Sequence, residues 1–342
     1  LEESHMPAGT TMVTGSIATD HLMQFPGKFV DSIVASHLDR LSLSFLVSDL
    51  ATHYGGVGAN VAFGMGVLGM KPVLVGAVGS DFDGYRAWLE GHGVDCAAVH
   101  VSATSLTARF TCTTDTTQCQ IASFYPGAMS EASTIALAPV VSSRAIDLML
   151  IGPDDPAAML AHTREAKRLG VAFAADPSQQ LPRLSPGDCR TLIDGAAYLF
   201  SNDYEWELLT SATRWSEREI LGRVGARITT LGSKGCLIVA NDGCRMEVGA
   251  VPVASIVDPT GAGDAFRAGF LAAVVYGLVI ERAAQLGSLI AALTLEAPGP
   301  QEWTLDIGVA LSRLKDAYGD KAAGDIEPVL RARAEETRAV TA

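Results

Sequence analysis

The chain has 342 residues, 48% of them hydrophobic and 18% charged, with a formal net charge of −13. That length and composition can bury a large core and exclude global disorder. The acidity, with no Lys/Arg cluster to oppose it, excludes the usual electrostatic footprint of a nucleic-acid binder, so an anionic ligand would have to be met by helix N-termini or bound Mg2+.

In chain order, Leu1–His5 reads as a cloning remnant ahead of Met6. No basic segment followed by an apolar run suggests a signal peptide. Apolar, β-rich runs at Met12–Ile17, Val73–Val78, Asp147–Ile151, Ala172–Ala175, Tyr198–Phe200, Arg227–Leu231 and Cys236–Ala240 predict strands. Helical patterns fall between and after them, at Ala59–Leu68, Gly84–His92, Pro156–Leu169, Tyr204–Thr210, Ala262–Tyr276, Glu281–Leu295 and Thr304–Tyr318. This alternation predicts one α/β domain over 6–342, with a parallel sheet sandwiched by helices.

Two stretches, about 21–54 and 104–125, break the rhythm with Thr, Ser and aromatic residues. Thr107–Thr113 and Gln118–Phe124 alternate as a hairpin would, which makes this region either a β-sheet lid over a site or an ordinary edge hairpin. Asp325–Val340 reads as a solvated helix or a frayed tail. The longest uncharged apolar run, Ala268–Ile280, is too short for a bilayer, which takes about 20 residues. The six cysteines show neither CxxC nor zinc spacing and read as reduced thiols, so a cytoplasmic protein without membrane attachment is expected.

The strongest local feature is Asp258-Pro259-Thr260-Gly261-Ala262-Gly263-Asp264-Ala265-Phe266. Gly261 and Gly263 leave backbone N–H groups open at the start of an apolar helix, where the orphan donors and the macrodipole favour phosphate oxygens. Asp264 beside such an anion hole can take a proton from an attacking hydroxyl, or can merely favour the first helical turn. Further upstream, Gly55-Gly56-Val57-Gly58-Ala59-Asn60 lets backbone approach a ligand and offers Asn60 to vicinal hydroxyls, or is a turn with a capping Asn. Asp20 can hold two hydroxyls or form a turn. Asn202 and Glu205 fit a capping box or a water-mediated Mg2+ site. A literal GxGxxG at Gly64, Gly66 and Gly69 lies inside or at the end of a helix rather than in a strand-to-helix turn, which favours close helix packing over a dinucleotide site. No Walker A pattern occurs.

Together these pieces resemble the ribokinase-like (PfkB) family of carbohydrate and nucleoside kinases over Met12–Leu314. Gly55–Gly84 looks like its N-terminal signature and Asp258–Phe266 like its C-terminal one. The resemblance implies a parallel α/β sandwich with a β-sheet lid. It makes Asp264 the base and the backbone of Gly261, Ala262 and Gly263 the anion hole. It assigns Asn202, Thr230, Gly232 and Gly235 to ATP and Glu205 to Mg2+. It further implies that Ser16, Asp20, Ser44, Gly55, Gly56 and Asn60 face the acceptor. Within the family, Gly15–Leu22, Ser42–Leu46, Ala108–Thr114, Ala122–Met129 and Asp176–Leu181 are similar to adenosine kinases of actinobacterial type. That similarity implies phosphorylation of the adenosine 5′-hydroxyl to give AMP, in purine salvage. Phe110 and Phe124 would sandwich the purine, or pack the lid on itself, and Gln179, Gln180 and Arg183 would complete the base pocket or make closing contacts. A kinase for ribose, fructose or another nucleoside and a non-catalytic ligand sensor of the same fold are the alternatives. Potassium activation occurs in parts of the family, and a homodimer through the lid is expected.

Overall fold

The computed structural model describes residues 9–32 and 44–341, with side chains described to residue 332. The Leu1–His5 segment and residues 33–43, which include Ser42, lie outside the described residues.

Fourteen strands are present among the described residues: β1 (Thr11–Thr14), β2 (Ala18–Gln24), β3 (Asp49–Gly55), β4 (Val73–Val75), β5 (Ala77–Val78), β6 (His100–Val101), β7 (Ala108–Thr114), β8 (Gln120–Tyr125), β9 (Leu148–Ile151), β10 (Phe173–Ala175), β11 (Tyr198–Asn202), β12 (Ala226–Thr230), β13 (Cys236–Ala240) and β14 (Arg245–Val248). Eight of them form the central sheet in the order β14-β13-β12-β11-β10-β9-β1-β4. The pairings from β12 to β4 are parallel, and those of β12–β13 and β13–β14 are antiparallel.

The sheet is therefore mixed where an all-parallel one was expected. The reason is local: β12 and β13 are joined by the short Leu231–Gly235 turn, in which Gly232 and Gly235 take φ values of 57° and 91°. A connection that short can only make a hairpin. The charged, edge-exposed β14 was not anticipated, because Arg245 and Glu247 interrupt its apolar pattern.

The parallel strands are buried on both faces, and the period of two divides them between two layers. Val13, Leu74, Leu148 and Leu150 point to the layer that holds the Val57–Val67, Ala262–Tyr276 and Ile280–Leu295 helices. Met12, Val75, Met149 and Ile151 point to the layer of the Pro156–Leu169, Pro186–Ile193 and Asp203–Thr213 helices. The C-terminal helix, Asp320–Thr341, is more than a solvated tail, since Ile326, Val329 and Leu330 are buried in the first layer.

The strand expected to reach Ile17 stops at Thr14. Gly15 meets the start of the Val57–Val67 helix there, and a Cβ on Gly15 would lie 2.9 Å from the Gly58 Cα. The chain then turns into the second sheet, β3-β2-β7-β8. In this sheet β2 pairs with β3 antiparallel and with β7 parallel, and β7–β8 is the expected hairpin, with Phe110 opposite Phe124. No described helix is long and apolar enough to cross a membrane.

Candidate active site

Two clefts meet at the start of the Ala262–Tyr276 helix. Gly261 and Asp264 line the first, of about 340 Å3, and Ala262 and Gly263 line the second, of about 520 Å3. The Gly-Ala-Gly-Asp turn is thus the wall between them. Gly261 has φ 77°, and a Cβ there would sit 2.5 Å from the Pro300 Cβ, so only glycine fits. Asp258 Oδ1 accepts the Thr260 N–H at 2.8 Å and fixes the approach to the turn. The first N–H groups of this helix have no intrahelical acceptor and carry the positive end of its dipole.

The first cleft collects most of the expected acceptor residues: Ser16, Asp20, Gly56, Asn60, Phe110, Phe124, Gln179, Gln180 and Arg183. Ser16 Oγ accepts the Val57 N–H at 3.1 Å, tying the end of the first strand to the helix that carries Asn60. Gly56 has φ 91°, and a Cβ there would press on the Ser16 carbonyl. Gly55 does not line the cleft but makes room for a residue that does, since a Cβ on it would lie 2.8 Å from Asp20 Oδ2. Burial pushes the Asp20 carboxyl up to about 6, against the opposing influence of His53. Gln180 Oε1 accepts from Arg183 Nη1 at 3.1 Å.

Asp264 Oδ2 accepts from Asn60 Nδ2 at 2.9 Å. Its carboxyl is pushed up to about 7, chiefly by burial; Arg267 and the Asn60 hydrogen bond pull it down, while Asp176 and Glu205 push it further up. Arg267, one turn along the helix, is buried against Asp176 through Nε–Oδ2 at 2.5 Å and Nη2–Oδ1 at 2.7 Å. It also donates to Ser178 Oγ at 3.1 Å and to the Gly263 carbonyl at 2.9 Å. This ion pair was not anticipated, although an arginine inside an apolar helix does signal a buried partner.

The second cleft brings together Thr230, Gly232 and Gly235 with an apolar wall that includes Val251, Val253, Ile256, Phe266 and Leu295. Nothing in the sequence pattern had singled out that wall.

Besides Gly55, three expected residues stand apart from both clefts. Ser44 is exposed. Asn202 and Glu205 form a reciprocal capping box, with Asn202 Oδ1 accepting the Glu205 N–H at 2.7 Å and Glu205 Oε2 accepting the Asn202 N–H at 2.8 Å. Burial, and next the charge of Asp176, raises the Glu205 carboxyl above the ordinary range, and the charge of Glu205 acts in turn on Asp264. The Gly64 and Gly66 positions serve packing. A Cβ on Gly64 would meet the Ala268 Cβ at 2.6 Å, and one on Gly66 would meet the His92 carbonyl.

A model of the pfkB family of carbohydrate kinases matches residues 19–306. The chain is 31% identical over 260 residues to a nucleoside kinase of Methanocaldococcus jannaschii, an alignment spanning 75% of this chain and 84% of that one. The solved structure of a Burkholderia thailandensis nucleoside kinase in complex with inosine is 35% identical, with a TM-score of 0.79 over 91% of this chain and 98% of that one. That enzyme's complex with ADP-inosine gives a TM-score of 0.78 at the same identity, over 91% and 96% of the two chains.

Proposed function

The chain belongs to the pfkB family of carbohydrate kinases, and from that premise we propose that it is an ATP-dependent nucleoside kinase acting on a ribose 5′-hydroxyl. The observation that carries this reading is Asp264, held by Asn60 on the wall between two clefts at a helix N-terminus. The nucleoside occupies the first cleft, with its ribose against Asp20, Gly56 and Asn60 and its base between Phe110 and Phe124. ATP occupies the second, with its base on the apolar wall and its phosphates toward Thr230, Gly232 and Gly235. Asp264 takes the proton from the attacking hydroxyl. The N–H groups of the Gly261–Gly263 turn face the charge of the transferring phosphoryl group. The β3-β2-β7-β8 sheet acts as a lid that excludes water.

Mg2+ suits this corner. Glu205 offers a carboxylate whose charge burial disfavours, so a cation would compensate it. Among the described residues no group of three or more His, Cys, Asp or Glu side chains could enclose a metal ion. Phosphate oxygens and water would therefore supply most of the ligands, as Mg2+ prefers. The bound ion would neutralise phosphate charge.

Adenosine is the acceptor we place first, on the likeness of the Phe110–Phe124 hairpin and the Asp176–Leu181 segment to adenosine kinases. The product would be AMP, in purine salvage in the cytoplasm. The inosine complex of the Burkholderia relative keeps other nucleosides in view. A homodimer through the lid stays part of the proposal, since β8 is an edge strand with all six residues exposed.

ADP formation from Mg-ATP, measured with adenosine, guanosine, inosine, ribose and fructose beside a no-acceptor blank, tests the reading. Turnover confined to adenosine is expected. Turnover only with free sugars would remove the base pocket, and silence with every acceptor would favour a ligand sensor. Phe124 is exposed, so Phe124→Ala should leave the fold intact. It should raise KM for the nucleoside about five- to tenfold, the worth of one aromatic stack, while ribose turnover, if any, stays the same.

The pH dependence follows from Asp264. As a base it must be ionised, and its carboxyl titrates at about 7. kcat/KM, which reports the free enzyme, should therefore rise with pH through about 7 and level off above. Asp20, at about 6, should steepen the acidic side. A flat profile across this range would remove Asp264 as the titrating base.

A further inference from the structure

Behind Asn60 lies a buried chain of hydrogen bonds to which none of the roles above has been given. Trp88 Nε1 donates to Gln301 Oε1 at 3.1 Å. Gln301 Nε2 donates to Asn60 Oδ1 at 2.8 Å and to the Tyr85 hydroxyl at 2.6 Å. The Tyr85 hydroxyl donates to the Gly55 carbonyl at 2.8 Å, and Asn60 Nδ2 donates to Asp264 Oδ2 at 2.9 Å. Gln301 is only 1% exposed, so no solvent competes for its amide.

The polarity of this chain is set at its ends, since the Trp88 N–H can only donate and the Gly55 carbonyl can only accept. An indole N–H can only donate. Trp88 therefore obliges Gln301 to present its oxygen on that side and its NH2 to Asn60 and Tyr85. An amide nitrogen can only donate in turn, so Asn60 must offer Oδ1 to Gln301 and Nδ2 to Asp264. Reversing any one amide would set oxygen against oxygen or nitrogen against nitrogen somewhere along the line.

We propose that Gln301, oriented by Trp88 and Tyr85, is a positioning residue for the phosphoryl-transfer step: it locks the Asn60 amide so that its NH2 faces Asp264 Oδ2 and holds that carboxyl ready as an acceptor, with Asp264 Oδ1 left for the substrate hydroxyl. This rests on the kinase reading for its consequence but not for its geometry. Without the lock, Asn60 can rotate its oxygen toward Asp264, which would favour the protonated, inactive acid. The other groups acting on that carboxyl are Arg267 on its own helix, Asp176 after β10 and Glu205 after β11. None of them belongs to the Trp88–Gln301 chain. The charge of Asp20 acts on Tyr85, and Glu302, next to Gln301, is occupied with His53 at 2.7 Å.

The test compares Gln301→Glu and Trp88→Phe with the unaltered protein. Gln301→Glu places acceptors on both sides and should invert Asn60; Trp88→Phe removes one of the two groups that set the direction and leaves the Tyr85 contact in place. The acidic limb of kcat should move up by about one pH unit in Gln301→Glu, by less in Trp88→Phe, with rates approaching the unaltered protein's at high pH. The carbon-13 titration of the Asp264 carboxyl in the ligand-free protein, assigned by its loss in Asp264→Asn, should shift in the same direction. An unmoved limb with rates lowered equally at every pH, or an unmoved Asp264 titration, would overturn the proposal. If Gln301→Glu fails to fold, Trp88→Phe, at a position 36% exposed, decides it alone. If the unaltered protein phosphorylates no nucleoside, the kinase reading falls, and the carbon-13 titration still judges the lock.

Discussion

Asp264→Asn is expected to lower turnover by about 10²- to 10⁴-fold, the usual worth of a positioned general base, without lowering the thermal midpoint. The substitution keeps shape and volume. Asn60 Nδ2 donates to this position, so the new amide must turn its oxygen to Asn60 and its NH2 toward the acceptor hydroxyl. An NH2 group cannot take the proton. Stability moves the other way. The Asp264 carboxyl titrates near 7 in the folded protein against an unperturbed value of 3.8. With the folded value raised, ionisation favours the unfolded chain as pH climbs between those two values, and the penalty is complete above about 7. Asp264→Asn removes it, so the variant should melt no lower than the unaltered protein at pH 8. Steady-state kinetics with the preferred acceptor and a melting curve at that pH check both halves. Near-normal turnover would end the assignment of Asp264 as base.

Arg267→Met should be the most destabilising single change at the site. Arg267 is 5% exposed and Asp176 1%, and their contact is supplemented by the bonds from Arg267 to Ser178 and the Gly263 carbonyl. Removing one partner of a buried pair leaves an uncompensated charge, which costs about 3–5 kcal/mol. A lower denaturation midpoint with an unchanged m-value is the expected result. Arg267 is also the strongest influence holding the Asp264 carboxyl down, so the acidic limb of the rate profile should move to higher pH in the same variant. Adding Asp176→Asn to Arg267→Met should restore part of the stability. If the double variant is less stable than Arg267→Met alone, the loss comes from packing rather than from a stranded carboxylate.

The parts of the site legible in the sequence are those whose chemistry is local. The Gly261–Asp264 turn announces itself through two glycines and an acid ahead of an apolar helix. The β7–β8 hairpin announces itself through alternation around a polar turn. Gly56, Asn60 and Asp20 were visible as candidates but ambiguous alone; similarity to a known family, rather than spacing, joined them. What stayed hidden depends on long-range pairing. Asn60 and Gln301 are 241 positions apart, and Arg267 and Asp176 are 91 apart; only the topology of the sheet brings them together. The wall of the second cleft was hidden for another reason, because Val251, Val253 and Leu295 read as ordinary core residues. The antiparallel edge at β13 and β14 escaped because helix–strand alternation carries no mark where a crossover gives way to a hairpin.

The two clefts draw on different lengths of chain. Apart from Thr260, Gly261 and Asp264, every residue lining the first lies at or before Arg183, and every residue lining the second lies at or after Thr230. Under the proposed assignment, acceptor choice and nucleotide binding are therefore inherited separately. Substitutions in the earlier stretch can drift from one acceptor toward another while the contacts to ATP remain as they were. The joint between them, Pro259 to Asp264, answers to both ligands at once and has the least freedom to change. Chimaeras of two relatives that exchange the chain before and after the Leu184–Thr229 interval would carry the second cleft whole and the first apart from Thr260, Gly261 and Asp264, and should take the acceptor of one parent with the nucleotide preference of the other.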